Sequence, residues 1–473
     1  MAFERYFEAV DYLQRRLWHE LPIVPVERAL QARVQALLAH LGDPHLRFPV
    51  VHVGGSAGKG STSTITASIL RAAGFHTGLY TSPHLQTFIE RISVDGRLIA
   101  PGEFADIVLG LDPLVRRMHM EVLDGAGFGR PSLVEVAFAA GIRHFGDERC
   151  DAAVVEVGLG GRTDCTNVFD AKAVTVLTNV DYEHRERLGW SLPAIAREKA
   201  AIIRGGETVI TGARRAEVVP IIAARCVERG SPLWRLGHEI RARATCTDGG
   251  GSVFDLRTPL GSFASLRLPL AGAHQVSNAA LAIAAAQQLG AAAGREVTEA
   301  HVREGLANVR LSGRLELMAE APRVLLDAAH NPIEARRLAQ ALRDHELRPT
   351  RGRPTPRLHL VVGILADKDQ PLMVRALATV ADSVIVTQPP LEERTGDPEH
   401  MLALFRRALG ERHVRFDPSP ARALDLALDG AHPRDVVCVT GSMFLVGALR
   451  ARWVPERRIL RRRTAVAYCG TEK

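Results

Sequence analysis

One stretch constrains this chain more than any other: an apolar run passes into a glycine loop and then into a helix-like segment, "VVHVGGSAGKGSTSTITASILRAAG" from Val50 to Gly74. The run "RFPVVHV" is apolar on both faces and β-branched, as in a strand buried inside a parallel sheet. "STITASILRAAG" carries apolar residues at helical spacing and stops at Gly74. A phosphate site needs this order, because a helix N-terminus supplies unpaired N–H groups and a favourable dipole. The loop nevertheless departs from the usual phosphate-loop signature. Only three residues separate Gly54 from Gly58, Val53 stands where the outer glycine belongs, and Gly60 follows Lys59 where a hydroxyl is expected. Gly55, Gly58 and Gly60 let backbone N–H groups approach an anion closely. Lys59 is placed to offset charge on β- and γ-phosphates, and Ser61 and Thr62 open the helix. The loop reads as a phosphate site of another design, with a tight turn and a chance lysine as the alternative.

The same pattern recurs along the chain. Residues 27–41 have helical spacing, with Gly42 at the C-cap; "DAAVVEVGLGG", "AVTVLTNV" and "ETVIT" read as strands, and "LPAIAREKAAII" as a helix. Alternation of this kind implies a mainly parallel, doubly wound sheet. Between about 233 and 270 the glycines and alternating residues suggest a small antiparallel hairpin region, followed by an alanine-rich helix. A second series begins after about 310 with "PRVLLDAAHNP", "PRLHLVVGIL", "ADSVIVTQP" and "DVVCVTGSMF". The expectation is an α/β protein with three parts. Residues 1–309 form a phosphate-loop domain carrying the hairpin region, 310–450 a second, Rossmann-like α/β domain, and 451–473 a basic tail.

A length of 473 residues is consistent with two or three cores. The first residues mix acids and bases without a secretory apolar run, and no segment has the roughly 18–20 apolar residues that span a bilayer. Six scattered cysteines without CxxC spacing fit a reduced, cytoplasmic setting. The net charge of +7 is concentrated at the end, where Arg450–Lys473 holds eight Lys/Arg against two Asp/Glu. That run reads as a solvated or frayed terminus; a nucleic-acid-binding arm is the alternative.

Several polar residues follow the expected strands. Ser82 in "TSPHL", Glu156 in "VVEVGLGGRTDCTN" and His184 in "TNVDYEHRERLG" would lie where ligands gather in open parallel sheets, beyond the strands' carboxyl ends. A serine, a carboxylate and a phosphate loop together suit Mg²⁺, which takes oxygen ligands and substrate phosphates. Read alone, His184 is a loop histidine, and Glu156 fits a structural hydrogen bond equally well. "VGLGG" is no dinucleotide fingerprint, because Thr163 replaces its third glycine. Lys199 in "REKAAI" reads by itself as a solvated helix residue. His274, Gln275 and Asn278 are polar for a helix start, although Ser277 and Asn278 would serve as caps. Arg314 is ambiguous alone, while Asp327 and His330 in "LLDAAHNP" follow a buried strand and lean towards function.

Taken in order, "LGDPHLRFPVVHV", "GKGSTS", "TSPHL", "EVGLGGRTDCTN", "TNVDYEH", "EKAAI", "GAHQVSNAALA", "SGRLE", "DAAHNP", "VGILADKD" and "VTGSMFLVG" resemble the folylpolyglutamate synthase/dihydrofolate synthase family of Mur-type ligases. The matches run from about residue 6 to 450, and the family's "GxxGKG[ST]" accounts for the unusual loop. The resemblance implies an ATP-dependent ligase adding L-glutamate to folate, and in some members to dihydropteroate, through an acyl phosphate. It implies that Gly58, Lys59, Gly60, Ser61 and Thr62 cradle ATP phosphates. Asn278, Arg314, Asp327 and His330 would complete that site. Ser82, Glu156, His184 and Lys199, the last often carbamylated in the family, would serve Mg²⁺. Lys59, His184 and Lys199 would carry catalysis. A monomer is expected, without membrane or nucleic acid as partner. The chain departs from the family at Ser56-Ala57, where Thr-Asn is usual, at Glu183, usually Asp, and at Leu133-Val134, where aromatics are common in a loop facing the pterin. Arg162 suggests the bifunctional type. The alternatives are a Mur-type ligase for another carboxylate, a nucleic-acid-associated ATPase, and a non-catalytic relative.

Overall fold

Burial on both faces explains the first sheet. Val50–Gly54, Ala152–Glu156, Val174–Leu177 and Thr208–Thr211 are each buried along their whole length, so their near-continuous apolar runs are those of central parallel strands. The computed structural model describes residues 2–20, 29–123, 129–248, 250–348, 354–391 and 394–466. Eight strands lie in the order Arg97–Leu98, Ile92–Val94, Thr77–Tyr80, Ala152–Glu156, Val50–Gly54, Val174–Leu177, Thr208–Thr211, Leu233–Arg235. The hairpin at the Arg97 edge is antiparallel; the rest of the sheet is parallel. Because Val53 pairs with Glu156 and Gly54 with Leu177, the carboxyl ends of adjacent strands finish level beside the glycine loop.

The loop leads into helix Lys59–Ala72, whose Ile65, Ile69 and Leu70 are buried. Two helices with small residues flank it. The alanine-rich Ala273–Ala292 packs along it, and Glu299–Ala307 approaches so closely that a Cβ on Gly305 would lie 2.6 Å from Ile69 Cα. Alanine and glycine are what such close backbone approach requires. The expected hairpin region is a three-stranded antiparallel meander, Arg241–Asp248, Gly251–Thr258 and Gly261–Leu268, while Leu233–Arg235 belongs to the parallel sheet.

A second sheet runs Glu316–Glu320, Arg323–Leu326, Val436–Thr440, Leu358–Val362, Ser383–Val386, Val414–Phe416. It is parallel apart from its first strand. With the mainly parallel first sheet, this gives the two α/β units expected from the sequence.

Three expectations are corrected. Leu133 and Val134 lie not in a loop but in the first turn of helix Leu133–Asp147, opened by a capping box between Ser132 and Glu135. Helix Ala273–Ala292 begins at Gly272, so Ser277 and Asn278 lie inside it and cap nothing. The terminal run is not frayed over its described part. Glu456–Arg462 is a helix, and its Ile459 and Leu460 are buried in the first unit's core with Tyr6, Phe88 and Phe104. Apolar residues hidden among the arginines outweigh their charge. Residues 467–473 of that tail, and 27–28 of the helix expected at 27–41, lie outside the described residues; that helix is observed as Ala29–His40. No described helix is long and apolar enough to cross a membrane.

Candidate active site

The glycine loop is shaped by what surrounds it. Gly55 has φ +138°, and a Cβ there would collide with Thr178 Oγ1. Gly58 has φ +86°, and its Cβ would lie 2.5 Å from Asn278 Oδ1. Both positions therefore require glycine. The family's loop asparagine is absent, and another holds the backbone instead: Asn179 Oδ1 accepts from the N–H groups of Ser56 at 3.2 Å and Ala57 at 2.8 Å. Ser56 Oγ donates to Asp181 O, and Thr178 Oγ1 donates to Ala57 O at 2.9 Å. Ser61 faces the pocket beyond the loop, whereas Thr62 is buried in the helix with its Oγ1 unpartnered among the described residues.

That pocket joins the two α/β units. Gly58 and Ser61 line it with Gln275 and Asn278 from the alanine-rich helix, and with Arg314 and Asp327 from the second unit. Asn278 Nδ2 donates to Gln275 Oε1 at 2.9 Å. Asp327 accepts from Leu315 N at 2.9 Å and Ala329 N at 3.0 Å. Burial pushes its carboxyl up to about 6, against the opposing pull of Arg314 and those N–H groups. His330 N donates to Glu334 Oε2 at 3.1 Å, and the His330 ring also reaches Ala328 O. Burial works against the Glu334 anion, but His330 and Arg314 prevail and hold it below the usual range.

A second group lies beside the loop at the strand ends. Ser82 N donates to Glu156 Oε2 at 3.0 Å, and Gly60 stands over the same carboxylate, 3.5 Å from it to a would-be Cβ. Burial drives Glu156 up to about 7 despite Lys59. Lys59 and Lys199 both donate to Gly55 O at 3.1 Å. Lys199, expected on a solvated face, is instead buried and lies 2.5 Å from Glu183 Oε1. Its neighbours on the helix, Ile195, Ala196 and Ala200, belong to the core, so helical phase carries it inward. Burial lowers the Lys199 pKa, and Glu183 opposes that shift. His184 takes left-handed backbone, φ 42°, at the start of Arg185–Leu188, a conformation uncommon outside glycine. Burial first, and then Lys368, lower it to about 4.

Of the residues singled out from the sequence, Gly58, Ser61, Gln275, Asn278, Arg314 and Asp327 line the pocket, Lys59, Ser82, Glu156 and Lys199 gather beside the loop, Thr62 points into packing, and Arg162 pairs with Glu198. Sequence reasoning missed Asn179, Glu334, Arg337 and Lys368. Asn179 follows a strand like any turn residue. Glu334 sits three positions after the N-cap Asn331, which is where a plain capping carboxylate would stand.

Two family models match the chain: the Mur ligase middle domain over residues 132–286 and the Mur ligase glutamate ligase domain over 313–443. The chain is 35% identical over 464 residues to a dihydrofolate synthase/folylpolyglutamate synthase of Mycobacterium tuberculosis, spanning 93% of this chain and 92% of that one. It belongs to the folylpolyglutamate synthase/dihydrofolate synthase family. A folylpolyglutamate synthase of Lacticaseibacillus casei is 31% identical, over 94% of this chain and 98% of its own. Among solved structures, the M. tuberculosis folylpolyglutamate synthase complexed with ADP aligns with a TM-score of 0.85 at 31% identity, covering 96% and 99% of the two chains. An FPGS–AMPPCP–folate complex aligns at 0.79 and 30% identity, covering 94% and 99%. In this chain Asn179 braces the loop backbone and Glu183 holds Lys199.

Proposed function

We propose that this enzyme adds L-glutamate to the carboxylate of a folate, using ATP to activate that carboxylate as an acyl phosphate. One observation carries the reading: the loop residues Gly58 and Ser61, Asn278, and Arg314 and Asp327 of the second unit line one pocket. Such a site can hold a nucleotide between the two units, with its phosphates on the loop and helix N-terminus.

The chemistry uses these residues in turn. A carboxylate at neutral pH is a poor acyl donor, so its oxygen first attacks the γ-phosphorus and ADP leaves. Lys59 offsets charge on the transferred phosphoryl group, where positioning and electrostatics dominate catalysis. The amine of L-glutamate then attacks the acyl carbon, phosphate departs, and an amide forms. Asn278, Arg314, Asp327 and His330 hold and orient the nucleotide. The oxygen donors beside the loop fit a magnesium ion: Glu156 is a buried carboxylate that Ser82 N already orients, and Ser82 Oγ and His184 are proposed as its further ligands. When bound, Mg²⁺ would neutralise phosphate charge. Lys199 shares Gly55 O with Lys59, and its burial pushes towards the neutral amine that carbamylation requires, against the pull of Glu183.

Relatives at 35%, 33% and 30% identity are named dihydrofolate synthase/folylpolyglutamate synthase. Dihydropteroate is therefore proposed as a second acceptor, in keeping with Arg162 in "GLGGR". The enzyme is read as a cytoplasmic monomer, since one chain supplies the whole pocket and none of the described cysteines is paired. The test is a product assay with ATP, Mg²⁺ and L-glutamate, offering tetrahydrofolate and dihydropteroate separately. Folate-dependent formation of ADP and a glutamyl amide supports the reading; turnover with neither acceptor sinks it.

A further inference from the structure

Arg450, the last residue of helix Met443–Arg450, lies outside the ATP pocket, yet its side chain is wholly buried. Its guanidinium makes contacts in three directions. Nε and Nη2 donate to the two Glu316 carboxylate oxygens at 2.8 and 2.7 Å. Nη1 donates to Gln86 Oε1 at 2.6 Å. Nη2 also reaches Ser312 Oγ at 3.2 Å and Ala465 O of the C-terminal segment.

These partners bracket the proposed site. Ser312 and Glu316 stand two residues either side of Arg314, and Glu316 also accepts from Gly313 N at 2.8 Å. Between them Leu315 is left-handed, φ 46°, with its N–H on Asp327. Gln86 follows Ser82 in the first unit, in a turn whose Leu85, Gln86 and Thr87 N–H groups all donate to Glu90. Gly447, one turn before Arg450, is pressed against Leu85: a Cβ there would collide with Leu85 O.

We propose that Arg450 is a positioning residue for the ligase reaction, its planar fork fixing Arg314 in the ATP pocket relative to the Ser82 segment. This rests on the reading that ATP binds between the loop and Arg314. A lysine has one compact ammonium and cannot span Glu316, Gln86 and Ser312 together. At metal sites, loss of a comparable outer partner costs about 10- to 100-fold.

The test is steady-state kinetics of the full chain carrying Arg450→Lys or Gln86→Leu, the latter keeping the Arg450–Glu316 pair if the former fails to fold. KM for ATP is expected to rise about 10- to 100-fold with Arg450→Lys, and in the same direction with Gln86→Leu. KM for the folate should stay within about twofold, the split that marks loss of one ligand's positioning. Unchanged KM for ATP in the folded variants overturns the proposal, even if the melting temperature falls. A parallel rise in both KM values overturns it as well. Wild-type protein without folate-dependent ADP release would instead contradict the ligase reading itself.

Discussion

Lys199 Nζ lies 2.5 Å from Glu183 Oε1, and the two side chains are only 2% and 9% exposed. A buried pair of this kind is worth little as a pair but costs much when broken, because one charge is left without a partner. Glu183→Gln is therefore expected to lose about 3–5 kcal/mol of stability at neutral pH. Urea unfolding of both proteins measures it; a loss below about 1 kcal/mol would show that Lys199 is neutral in the folded protein.

Asp327 gives a pH dependence with a defined sign. Its folded pKa is raised to about 6 by burial, against 3.8 for the free group. The folded protein thus binds this proton more tightly. The resulting stabilisation is complete below about pH 4 and is lost as pH rises through about 6, a contribution of about 3 kcal/mol. Asp327→Asn should remove that decline, seen as a flatter difference in urea midpoint between pH 4 and 7. An unchanged profile in the variant would place the titration elsewhere.

The phosphate loop owes its path to glycine at position 58, where φ is +86° and Asn278 Oδ1 crowds the missing side chain. Gly58→Ala should cost about 1–2 kcal/mol for the left-handed backbone. It should also displace Asn278 and lower kcat/KM for ATP by about 10²-fold, the scale of a misplaced binding group. Kinetics at saturating folate would test this, and an unchanged kcat/KM would mean that Asn278 does not orient the nucleotide.

Arg33 and Glu135 form a second buried pair, 3.0 Å apart and 3% and 2% exposed, joining helix Ala29–His40 to helix Leu133–Asp147. Arg33→Met alone should destabilise by about 3–5 kcal/mol, while Arg33→Met with Glu135→Leu should recover that loss except for about 1 kcal/mol from the lost Ser132–Glu135 capping box. A double-mutant cycle by chemical denaturation reads the coupling, and additive losses would refute it.

The sequence made the sheets legible because their central strands are buried on both faces and leave continuous apolar runs. The glycine loop was legible from its strand–loop–helix setting, and the order of motifs carried the family. Lys199 misled because a lone lysine on a helix reads as solvated; only the partner Glu183, distant in sequence, shows why it is inside. Leu133-Val134 looked like part of a loop, yet the Ser132–Glu135 capping box starts a helix there. The terminal helix was hidden by its arginines, since the burial of Ile459 and Leu460 depends on a core that includes Tyr6, Phe88 and Phe104, far away in sequence. Asn179 and Arg450 act through backbone and cross-unit contacts, which leave no local pattern.

Activation of the folate carboxylate by ATP can be followed by oxygen tracing. With a folate substrate labelled by ¹⁸O in its terminal carboxylate, one labelled oxygen is expected in the phosphate released for each glutamyl amide formed, because the acyl phosphate's bridging oxygen leaves with phosphorus. Amide formation with unlabelled phosphate would contradict it.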